Sequence, residues 1–77
     1  MSKNTPITTF SKLAEKWPSA FVARQEVARF TGGLVNCKTL ANLDSKKQGP
    51  PRIRLGRKIA YPVPEFIAWL ERRATAL

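Results

Sequence analysis

Glycine and proline punctuate this chain so often that no long element can form. Pro18, Gly32-Gly33, Gly49-Pro50-Pro51, Gly56 and Pro64 divide it into short segments. Helices of one to three turns do not persist alone in water, so each segment depends on packing against the others. With 77 residues, the chain has room for one small domain with a thin core.

Four segments have helical spacing. In residues 10–17, Phe10, Leu13 and Trp17 fall on one helical face, and Pro18 ends the run. Residues 24–31 predict a second helix, with Val27, Ala28 and Phe30 on its apolar side and Gly32-Gly33 ending it. Residues 36–47 predict a third. Asn36 is placed to cap it, Leu40 and Leu43 face inward, Lys46 and Lys47 occupy its last turn, and Gly49-Pro50-Pro51 stop it. Residues 64–75 predict a fourth, opened by Pro64 in the first helical position and packed through Phe66, Ile67, Trp69 and Leu70. Between the third and fourth lies GPPRIRLGRKIAYP, residues 49–62. Its alternation predicts a β-hairpin turning at Gly56, Arg57 and Lys58. Ile53, Leu55, Ile59 and Tyr61 would share an inner face, with Arg52 and Arg54 on the outer one. The expected fold class is therefore mainly α with a small β-hairpin, as a single domain over residues 8–77 behind a loose tail of residues 1–7.

Charge narrows the function. Lys and Arg number 14 against 5 Asp and Glu, a net charge of +9. Six cations and no acid lie within residues 46–58. Such clustering favours a polyanion and exceeds what is needed to keep a sheet edge from pairing with another chain. Two short helices separated by Gly-Gly-Leu-Val have the spacing of a helix-turn-helix, in which the second helix enters the major groove of double-stranded DNA. On the helix of residues 36–47, Lys38, Thr39, Asn42 and Lys46 point outward. Lys can donate to guanine, Asn can pair with adenine, and Thr can meet a base edge or a thymine methyl, although a solvated helix face has a similar composition. The hairpin over residues 52–61 follows as a wing, with Arg52, Arg54, Arg57 and Lys58 available to phosphates or a narrow minor groove. Trp69 and Tyr61 are expected in the core, the tyrosine hydroxyl at its rim, while Trp17 could pack or stack on a base.

These residues carry a resemblance. The span of about residues 22–71 resembles small winged-helix proteins of the AlpA and excisionase type, distant relatives of the DNA-binding part of MerR regulators. The likeness rests on an ordered set: Asn36-Cys37-Lys38-Thr39-Leu40 opening the reader helix, Gly49-Pro50, Arg52–Leu55, Gly56-Arg57, Ile59–Tyr61, and Trp69-Leu70 in the last helix. Ala23 and Val63 depart from it, standing where polar caps are usual. The resemblance implies a winged helix-turn-helix that binds DNA on behalf of a prophage or mobile element. Such a protein would be a small transcriptional regulator or, alternatively, an excisionase that bends DNA and works with an integrase.

Other functions are disfavoured. The chain has no His, one cysteine (Cys37) and five acids in no clustered motif, so neither an enzyme nor a metal site is expected, and no cofactor. There is no apolar run long enough to span a membrane and no signal-peptide pattern, so a cytoplasmic protein without membrane contact is expected. The expected partners are double-stranded DNA and either an integrase or RNA polymerase. With no heptad run, a monomer that loads cooperatively on DNA is expected.

Overall fold

The structure is a computed structural model that describes residues 10–75; the expected tail of residues 1–7 lies outside that range. Helix α1 covers Ser11–Glu15 and is followed by strand β1, Phe21–Ala23. A 3₁₀ turn, Arg24–Glu26, leads into α2, Val27–Thr31. Helix α3 covers Cys37–Ser45, strands β2 and β3 cover Ile53–Leu55 and Lys58–Pro62, and α4 covers Val63–Arg73. About half of the described residues are thus helical and a small antiparallel sheet joins them, which is compatible with the expected class at that level.

The sheet has three strands in the order β1-β3-β2, one more than a hairpin requires. The expected helix over residues 24–31 is correspondingly shorter, confined to its second half after the 3₁₀ turn. The reason is tertiary. Val22 pairs with Tyr61 across β1 and β3, and both side chains are fully buried. A three-residue strand is too short to announce itself by alternation, and only the edge of β3 makes it one.

Hairpin register overturns the expected division into an apolar inner and a basic outer face. Leu55 pairs with Lys58, Arg54 with Ile59 and Ile53 with Ala60. Only Gly56 and Arg57 form the loop, with Gly56 at φ +63°, the left-handed geometry that a two-residue hairpin turn takes at its first position. Counting Lys58 as a third loop residue shifts the pairing by one and flips every side chain. Directly opposed residues share a face, so Arg54 lies with Ile59, Tyr61 and Val22. Ile53 and Leu55 lie on the opposite face with Ala60 and Lys58, and are 41% and 79% exposed.

Helix α2 ends at Gly32 and Gly33, both with positive φ, and the Gly33 N–H donates to the Ala28 carbonyl at 2.7 Å. Thr31 is buried; its hydroxyl donates to the Val27 carbonyl at 2.8 Å and accepts from the Val35 N–H at 3.1 Å, fastening the turn into α3. Asn36 caps α3 as expected, its side-chain oxygen accepting from the Thr39 N–H at 2.8 Å.

Helix α3 stops differently from expectation. Lys47 adopts φ +60°, the Gln48 N–H donates to the Leu43 carbonyl at 2.8 Å, and the Lys47 N–H donates to the Asp44 carbonyl at 3.0 Å. This is a left-handed helix stop with lysine where glycine is usual, and it precedes the glycine and prolines that were expected to end the helix. Pro64 stands second in α4, because Val63 already belongs to the helix and donates its N–H to the Ala20 carbonyl at 2.9 Å.

The core is built from β1, α2, α3, β3 and α4, with α1 packed against it through partly buried Leu13 and Ala14. Val22, Val27, Phe30, Leu40, Tyr61, Val63, Phe66, Ile67, Trp69 and Leu70 are buried. Phe66 is central, its ring 5.3 Å from Tyr61, 5.6 Å from Phe30 and 6.1 Å from Trp69 between centroids. Burying such a ring contributes about 2 kcal/mol. Trp69 packs as expected, and its N–H donates to the Gln48 carbonyl at 3.3 Å, tying α4 to the end of α3. Among the described residues, no helix is long and apolar enough to cross a membrane.

Candidate nucleic-acid interface

The polar arc of α3 follows from its anchoring. Leu40 is fully buried, Leu43 packs against the core, and Asp44 is 5% exposed, so one side of the helix is committed inward. Lys38, Thr39, Asn42 and Lys46 occupy the other side and are all exposed, with Lys46 as the capping residue just past the last helical turn. Arg52, Arg54, Arg57 and Lys58 are exposed as well.

A buried polar cluster fixes the relation between these two groups. The Tyr61 hydroxyl donates to Asp44 Oδ2 at 2.7 Å, crossing from β3 to α3. Arg24, in the 3₁₀ turn, donates through its terminal nitrogen to the same oxygen at 2.5 Å and through Nε to the Tyr61 oxygen at 3.1 Å. Arg52 approaches Asp44 Oδ1 at 3.7 Å, an ion-pair distance too long for a hydrogen bond, and Oδ1 has no hydrogen-bond partner among the described residues. Gly49 closes over this oxygen so tightly that a Cβ there would fall 1.9 Å from it. The expected helix-stopping glycine is thus required because a buried carboxylate occupies the space of its side chain.

Burial is the largest influence on Tyr61 and pushes its phenol up to about 12; the hydrogen bond from Arg24 opposes this and Asp44 adds to it. The Arg24 guanidinium is held above its ordinary value, first by its hydrogen bond to Tyr61 and, against its own burial, also by Asp44. The tyrosine hydroxyl therefore lies inside the cluster, not at the rim where the sequence placed it.

Nothing local in the sequence distinguishes Asp44 from the other acids or gives Arg24 a role. A 20-residue separation between Arg24 and Asp44, and 17 between Asp44 and Tyr61, carries no local signal. The electrostatic result is an uneven surface. Asp44 is buried and matched by Arg24 and Arg52, so it subtracts little from the field of Lys46, Lys47, Arg54, Arg57 and Lys58. Arg52 is divided between solvent and Asp44, its side chain 42% exposed. Lys47 was not among the proposed contacts, yet its exposed side chain adds to the same basic surface.

A groove of about 440 Å³ lies between the 3₁₀ turn and the hairpin, lined by Ala23, Arg24, Gln25, Arg57, Lys58 and Ile59. It brings Arg57 of the loop and Lys58 of β3 beside the turn that precedes α2. No protein-family model, curated protein or solved structure matches the chain. The likeness to AlpA-type and excisionase proteins therefore rests on the residue pattern alone.

Proposed function

We propose that the protein is a winged helix-turn-helix that binds double-stranded DNA sequence-specifically and acts as a small prophage-type transcriptional regulator without enzymatic activity. In this reading α3 enters the major groove, Lys38, Thr39, Asn42 and Lys46 meet base edges and nearby phosphates, and the hairpin is the wing. Arg54, Arg57 and Lys58 contact flanking phosphates or a narrow minor groove, and Arg52 is shared between Asp44 and phosphate.

One observation carries the reading. Hairpin register puts Arg54 on the same sheet face as Tyr61, and the Tyr61 hydroxyl is hydrogen-bonded to Asp44 of α3. The arginine-bearing face is thereby held toward the helix whose polar arc is exposed, a relation that suits one duplex touching both. Arg52 adds to this relation through its ion pair with Asp44.

Selection from a random duplex pool at physiological salt, followed by sequencing, tests the proposal. An enriched motif is expected. Tight binding at low salt with no enriched sequence would sink the sequence-specific reading and leave only unspecific attraction to phosphate.

A further inference from the structure

A second groove shares no residue with α3 or the hairpin. It measures about 520 Å³ and lies between α1 and the end of α2. Its floor is apolar: Leu13 and Trp17 are half-buried and Phe30 is buried. Its rim is cationic, with Lys12, Lys16 and Arg29 all exposed. Trp17 is fixed in place rather than loosely laid over the core. Its N–H donates to the Phe21 carbonyl at 2.9 Å, its ring meets Phe30 edge-to-face at 5.2 Å, and the Arg29 guanidinium sits 5.5 Å from its ring centre. Two exposed acids stand by this rim, Glu15 next to Lys16 in the chain and Glu26 at 3.8 Å from Arg29, and at the solvent-exposed surface they offset the three cations only in part.

We propose that this groove docks an acidic segment of a partner protein that carries one or two apolar anchor side chains. Charge complementarity selects the occupant. Three cations around an apolar floor match carboxylates flanking a hydrophobic residue, and a rigid tryptophan with a neighbouring arginine is the composition of a binding hot spot. A second copy of this chain is a poor occupant, because it brings +9 against +9. A DNA backbone satisfies the rim but has no apolar group to cover Leu13 and Trp17. The inference stands independently of DNA binding, since the groove uses none of the residues assigned to the duplex.

The test titrates the full chain with a short synthetic peptide, Leu-Leu flanked on both sides by Asp and Glu, and maps the amide chemical shifts. Shifts are expected at Lys12, Leu13, Lys16, Trp17 and Arg29. The same peptide with Ala-Ala at its centre binds more weakly, and the double variant K12E/K16E loses about tenfold in peptide affinity while its affinity for duplex DNA is unchanged. Shifts confined to α3 and the hairpin, equal binding of the Ala-Ala peptide, or no shifts at the groove at saturating peptide would overturn the proposal. A fall in duplex affinity in K12E/K16E would instead assign the rim to the DNA backbone.

Discussion

Asp44 shows how much one side chain can decide in a domain of this size. Its carboxylate links β3, the 3₁₀ turn and α3, and its neighbour Gly49 has no room for even a methyl group. Gly49→Ala forces Oδ1 to move and loosens the hydrogen bonds from Tyr61 and Arg24. The expected loss is about 2 kcal/mol in urea denaturation, from a buried polar group losing its partners. Tyr61 gives a second residue-scale prediction. Its phenol titrates at about 12 in the folded chain against 10.0 when unperturbed. The fold favours the protonated phenol, so this contribution is complete below about pH 10 and is lost as pH rises toward 12. Stability should fall across that window more steeply in the natural protein than in Tyr61→Phe, as read from denaturation midpoints at each pH. Because Tyr61 is the one tyrosine in the chain, tyrosinate absorbance reports it directly. Titration of the folded protein at the ordinary phenol value would refute the buried cluster.

Element ends carry the next level of explanation. Helix α3 begins with a well-formed cap and ends with strain: Asn36 accepts from Thr39, whereas Lys47 is the one residue other than glycine with positive φ among the described residues. A side chain in that conformation costs about 1 kcal/mol, which glycine avoids at some expense in unfolded-chain entropy. Lys47→Gly should therefore stabilise the fold by about 0.5 kcal/mol, measured as a higher denaturation midpoint with an unchanged slope. Under the DNA-binding proposal the same variant weakens duplex affinity, because it removes a cation from the basic surface. A lysine retained at a strained position would then serve binding at the expense of the helix stop. The hairpin makes a related point, since one residue more in the loop would turn Arg54 away from α3.

At the scale of the whole molecule, two surfaces divide one task under the DNA-binding proposal. Asn42 sits on the polar arc of α3, and Arg54 on the hairpin face held toward that helix. With a selected motif in hand, Asn42→Ala should reduce the preference for the motif over scrambled DNA by about 1–3 kcal/mol. Arg54→Ala should weaken both sequences alike and lower the salt slope by about one unit. Fluorescence anisotropy over a salt series distinguishes them. Equal losses from the two variants on both DNAs would refute the division. Direct repeats in the selected motif, with strong bending on loading, would move the reading toward the excisionase alternative.

Local rules were enough to locate four helical segments, the second of them only over its latter half, together with the Asn36 cap, the exposed arc of Lys38, Thr39, Asn42 and Lys46, and the hairpin's existence. These depend on spacing within a few residues and on local breakers such as Pro18 and Gly32-Gly33, although α3 stops at Lys47 before its expected breakers. Tertiary structure alone decided what depends on distant partners. Strand β1 exists because β3 offers it an edge, and Asp44 is a cluster centre because Arg24 and Tyr61 reach it across 20 and 17 residues. The facing of the hairpin was decided between these two levels. Its alternating pattern is local, but a pattern of period two has two solutions. The two-residue turn at Gly56-Arg57, together with the pairing of Val22 to Tyr61, selects the one that carries Arg54 to the side of α3.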